Sequence, residues 1–117
     1  MATQNPVHYT CVSSLFRGDS FLNAAANHQN AHIGLNYRNH GAHVQKIKKA
    51  LIAVDPKNMY DKCFAPNDKY DAVVAVYVSA FKKEHGIFNH AGKIDMICGI
   101  KTIRTLDTLC AKTDFEF

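Results

Sequence analysis

Thirty-four residues apart, the chain writes one short pattern twice: Val44-x-x-Ile47-Lys48-Lys49 and Val78-x-x-Phe81-Lys82-Lys83. The apolar spacing continues around each copy, through Leu51 and Val54 in the first and through Val74 and His85 in the second. Residues three and four apart share a helix face, so each stretch predicts an amphipathic helix with an apolar stripe. Two short copies do not make a stacked repeat, which needs at least ~3 units. They read instead as two helices packed through the same inner face. Lys48 and Lys82 each follow an inward apolar residue, which places the stem on apolar surface at the border of the core and the ammonium in water.

The second copy competes with another structure. Ala72 to Val78 is the longest unbroken apolar run, contains four valines, and suits a buried strand by propensity. It is far too short for a membrane helix, which needs ~20 residues. Asp71 is a good N-cap, Gly86 a good residue just past a helix end, and residues 72–85 make a segment too long for an ordinary strand. The segment is therefore expected to be helical.

Shorter signals fill in the rest. Gly18-Asp19-Ser20 offers an N-cap before Phe21, Leu22, Ala25 and Ala26, a short leading helix. Residues 1–14 read as a poorly anchored lead, and residues 27–41 as loop. Residues 55–70, with Pro56 and Pro66, read as a long irregular connection. Gly92 to Asp95 suggests a turn with one short β-bridge, and Ile100, Ile103, Leu106 and Cys110 mark a last helix. The expectation is an all-α fold of three main helices, a short leading helix and long loops. Val44, Ile47, Leu51, Val74, Val78, Phe81, Ile103 and Leu106 should converge in one core.

At 117 residues, 47% hydrophobic and 21% charged, the chain fits one soluble globular domain. The net charge of +4 falls entirely in residues 1–58, and the remainder is neutral. Such an excess suits an anionic partner, but the dense Lys/Arg clusters and motifs of nucleic-acid binders are missing, and no nucleic-acid or membrane partner is expected. The N-terminus has neither a basic start nor a long apolar stretch, so no signal peptide is read there and the location is left open between cytoplasm and leaderless export. Cys11, Cys63, Cys98 and Cys110 form no CxxC pair and are expected to be reduced thiols. His28, His32, His40 and His43 cluster among five asparagines, with no carboxylate from residue 20 to 54. That stretch reads as polar surface rather than a metal site. No nucleophile–base motif, carboxylate pair or phosphate loop has the right spacing, so neither an enzyme nor a cofactor is expected.

The order of the pieces resembles the small three-helix peptidoglycan-binding domain that accompanies many bacterial cell-wall hydrolases. Gly41 precedes Val44, Ile47 and Leu51 as in that family's first helix. Tyr70-Asp71 leads to Val78, Phe81, Gly86 and Ile87 as in its second. Gly92, Ile94 and Asp95 resemble its next turn, and Lys101-Thr102-Ile103 with Leu106 resembles the start of its last helix. The resemblance spans roughly residues 33–110 and implies a domain over residues 33–117, with residues 1–32 as an extension carrying the short helix. Both glutamines of the family pattern are lysines here, Lys48 and Lys82, and Met96 to Gly99 looks like an insertion.

The resemblance implies a non-catalytic module that binds peptidoglycan or another anionic cell-wall polymer. Lys48 and Lys82 would attract stem-peptide carboxylates. Asn36, Tyr37, Tyr70, Asn89 and His90, in loops flanking the helices, would contact sugars or amides. The alternative left open is the same scaffold used as a protein-interaction module, such as an adaptor or part of a bacterial toxin or secretion system.

Overall fold

The computed structural model describes residues 8–55 and 63–114. Four α-helices and one 3-10 turn follow in order: α1 (Ser20–Ala25), the 3-10 turn (Gln29–Ala31), α2 (Ala42–Ala53), α3 (Ala72–Glu84) and α4 (Ile100–Thr113). Among the described residues there is no strand, only isolated bridges that pair Ile33 with Cys98, Gly34 with Tyr37, and His40 with Lys69. The fold is all-α, with three main helices and a short leading one, as the periodicity predicts.

Two of the helices, α1 and α3, begin at an aspartate whose side chain satisfies an exposed amide. The Asp19 carboxylate accepts from the Leu22 N–H at 3.0 Å, and the Asp71 carboxylate from the Val74 N–H at 3.1 Å. The segment 72–84 is helical despite its valines, because Val74, Ala75, Val78 and Phe81 then share one buried face. Val73 and Val76 are left on the outside. Tertiary burial of that stripe outweighs the small intrinsic penalty of β-branched residues in a helix. The far end of α3 closes on Gly86, whose φ of 66° is left-handed. There the Ile87 N–H donates to the Lys82 carbonyl at 2.8 Å and the Gly86 N–H to the Lys83 carbonyl at 3.4 Å. This is the two-bond cap that a glycine one residue past a helix permits. A Cβ at Gly86 would meet nothing within 4 Å, so only backbone strain opposes it. Gly86→Ala is expected to cost about 1–2 kcal/mol, measured by urea unfolding; an unchanged midpoint would place the helix end elsewhere.

α2 packs against both α3 and α4, and α1 against α4. All eight residues expected in the core are buried there, together with Phe16, Leu22, Ile33 and Tyr70. The core thus takes in residues on both sides of position 33. None of the four cysteines is in a disulfide. Burial pushes the thiols of Cys11, Cys98 and Cys110 up to about 12, which keeps them protonated and unreactive.

Four expectations are corrected. The described part of the lead, residues 8–14, is anchored rather than loose. The buried Asp107 carboxylate on α4 accepts from the Tyr9 hydroxyl at 2.6 Å and from the Val12 and Ser13 N–H groups at 2.9 Å each. The Asn27 side chain both accepts from and donates to the backbone of Tyr9, and Asn23 accepts from the Cys11 N–H. Two asparagines of the supposed polar surface are therefore latches. His43 is also no surface residue: its buried ring stacks on Phe21 at 4.4 Å, and its Nε2 donates to the Arg38 carbonyl at 2.6 Å. The β-bridge lies at Cys98 rather than in the Gly92–Asp95 turn. Pro56 and the residues up to 62 in the long connection lie outside the described residues.

Candidate functional site

The two pattern lysines do not reach water. Lys48 and Lys82 are only 5% and 4% exposed. A buried ammonium must spend its three N–H donors on nearby acceptors, and here those acceptors are loops. Lys48 Nζ donates to the Ala65 carbonyl at 3.0 Å and to the Asn67 carbonyl and side-chain oxygen at 2.9 Å each. Lys82 Nζ donates to the Asp95 carboxylate and to the Ile97 carbonyl at 2.8 Å. Each lysine fastens the irregular segment that crosses its helix, while Lys49 and Lys83 are the exposed members of the two pairs. The expectation of a solvated basic shoulder is corrected accordingly.

The Lys82 clamp builds one wall of a groove. Past Gly86 the chain turns through Ile87 to His90, with the Asn89 side chain accepting from the Ala91 and Lys93 N–H groups at 2.9 and 3.0 Å. It returns through the clamped residues 95–97. Cys98 then exchanges two backbone hydrogen bonds with Ile33, at 2.8 and 3.0 Å, which draws the 3-10 turn and His32 up to the start of α4. Arg104 ties the same side together by donating to the Ala26 carbonyl at 2.7 Å. Between these pieces lies a groove of about 500 Å³, a size that suits a small ligand. Ile87, Phe88, Ile97 and Ile100 form its apolar surface, and its polar groups come from the 3-10 segment, the 87–90 turn and the first turn of α4.

Burial alone would raise the Asp95 carboxyl, but the Lys82 ammonium and the Ile97 N–H together outweigh it and hold the group below its ordinary value. A carboxyl depressed on folding stabilises the fold above its unfolded value near ~4, and that contribution is lost as pH falls through the lowered value. Lys82→Gln is therefore expected to flatten the acid limb of the stability–pH curve. Both Lys82→Gln and Lys48→Gln should cost about 1–3 kcal/mol at neutral pH, because shorter, neutral side chains leave buried acceptors unmet. A neutral-pH loss under ~0.5 kcal/mol for both, typical of surface changes, would return the lysines to the surface.

Of the residues singled out from the sequence, Lys82, Asn89 and His90 come together in this groove. Tyr37 lies beside it, its ring edge-on to His32 at 4.3 Å, with Asn36 exposed in the same turn. Lys48 sits under a different loop. Tyr70 is buried, its hydroxyl donating to the Met96 carbonyl at 2.6 Å, so it supports the 95–97 segment from within rather than flanking a helix. The other lining residues went unrecognised as site residues, among them Gln29, His32, Phe88, Lys101 and Thr102. Lys101 and Thr102 begin α4 directly after Gly99, an N-cap without a side-chain hydrogen bond. Gly99 therefore leaves the first amides of α4 facing outward with the positive end of the helix dipole. A glycine in the N-cap position was the available signal. Among the described residues, no group of three or more His, Cys, Asp or Glu side chains is placed to hold a metal. Set against known proteins, the chain matches no family model, no curated protein and no solved structure.

Proposed function

We propose that the protein is a non-catalytic module that binds peptidoglycan, or another anionic cell-wall polymer, in the groove at the start of α4. The observation that carries this reading is the make-up of that groove. It has an apolar surface fit to hold sugar or alanyl faces, a ring of amide and imidazole side chains from Gln29, Asn89 and His90, and an uncapped helix start.

Co-sedimentation of the purified protein with bacterial sacculi tests it. Binding is expected, and Phe88→Ala, which removes half-exposed apolar surface from the groove, is expected to weaken it at least three-fold. Absence of binding at micromolar protein would overturn the reading. A second reading, a protein-interaction module, is favoured by the outer face of α3, where Val73 and Val76 are exposed side by side with Ala72 and Ala80. Under it the protein stays in the supernatant, and Phe88→Ala changes nothing.

A further inference from the structure

Among the described residues, two buried side-chain polar atoms lack a hydrogen-bond partner: His32 Nε2 and Thr102 Oγ1. Folded proteins leave few such atoms unmet, so each calls for an explanation. These two come from segments seventy residues apart, yet both residues line the same groove. Thr102 is 1% exposed, and its hydroxyl stands in the first turn of α4. The usual local escape for a helical threonine is the carbonyl four residues back. That carbonyl, on Cys98, already accepts from the Ile33 N–H.

The two unmet atoms ask for opposite things. His32 Nδ1 lies 2.7 Å from the Gln29 carbonyl, which can only accept, so Nδ1 carries the proton. A neutral ring then presents a lone pair at Nε2 and needs a donor. Around Thr102 the need is reversed. Its hydroxyl can donate, and the N–H groups of Ile100, Lys101 and Thr102 have no backbone acceptor among the described residues. The helix dipole adds partial positive charge there. The groove's charged side chains are Lys82 and Asp95, paired with each other, and Lys101, which has no ion-pair partner among the described residues. One unmatched cation beside a paired carboxylate suits a singly charged anion better than a phosphate.

We propose that the start of α4 is a carboxylate site that takes the C-terminal residue of a peptide. The Thr102 hydroxyl and the free N–H groups of α4 donate to the terminal carboxylate. His32 Nε2 accepts the amide N–H of that same residue, and Ile97 and Ile100 lie against its side chain. The proposal rests on the groove being the ligand site. Within a cell wall, it selects the D-alanyl end of a stem peptide over the glycan strand.

The experiment is an amide-resolved NMR titration of the whole protein with N-acetyl-D-alanyl-D-alanine, with its C-terminal amide, and with inorganic phosphate. The acid is expected to move the Ile100, Lys101 and Thr102 amides saturably, with the amide and phosphate at least ten-fold weaker. Thr102→Val keeps the shape and removes only the hydroxyl. Affinity for the acid should fall at least ten-fold, while the melting temperature stays level or rises because no bond is lost. Equal binding of acid and amide, tighter binding of phosphate, or a lower melting temperature in Thr102→Val would each overturn the proposal. Sacculus binding without acid binding would overturn this site and leave the cell-wall reading standing. Acid binding at α4 without sacculus binding would do the reverse.

Discussion

Phe81→Ala is expected to destabilise the protein by about 3–5 kcal/mol, the range for deleting a buried aromatic ring. Phe81 is 2% exposed and sits in the last turns of α3, in the core that α2 and α4 complete. It also props the local geometry, since its ring lies 4.4 Å from that of His85, the residue that caps α3 before Gly86. Domains of this size have only about 5–15 kcal/mol to lose, so the variant should give up a large share of its stability. Urea unfolding followed by circular dichroism measures the loss. A value below ~1 kcal/mol is typical of surface positions and would contradict the placement of α3.

Asp107→Ala is expected to cost about 3 kcal/mol or more, since it strands several donors at roughly 1–3 kcal/mol each. The carboxylate is fully buried and accepts from Tyr9, Val12 and Ser13, two of them through backbone amides that have no other use for their hydrogens. The damage should begin at the lead. Limited proteolysis should cleave before Ser20 in the variant and leave the wild type intact under the same conditions. Asp107→Asn keeps the volume and one acceptor, and should fall between the two. If Asp107→Ala melts with the wild type and its lead stays protected, the asparagine latches at Asn23 and Asn27 hold that segment alone.

The helices were legible because their signals are local. Spacing at three and four residues, Asp19 and Asp71 as N-caps, and Gly86 past the end of α3 all act within one or two turns. Tertiary latches were not legible. Asp107 reads as one more polar residue on a helix until the lead, more than ninety residues away, lays two amides against it. Asn23 and Asn27 look like loop polarity for the same reason. The lysines misled because a long stem at a core border can snorkel outward or reach under a loop, and only the loop's path decides which. At the groove the sequence pointed to Lys82, Asn89 and His90, which share a short stretch of chain. It gave no reason to join His32 and Thr102 in one site, because their meeting depends on the backbone pairing of Ile33 with Cys98.

The clamps at Lys48 and Lys82 divide each Lys-Lys pair into two chemically different amines. Lys49 and Lys83 stand in solvent, while their neighbours have their lone-pair chemistry hidden behind hydrogen bonds to carbonyl or carboxylate oxygen. Acylation consumes the free amine, so an acetyl donor or a labelling ester should mark the second lysine of each pair in the folded protein and pass over the first. Modification at Lys48 or Lys82 would then be a record of an opened chain. Once made it would block re-closure, because an acylated amine can no longer supply the charge and three donors that hold the crossing loop down. Two ordinary surface-looking dipeptides thereby become irreversible markers of whether a given molecule has ever come apart.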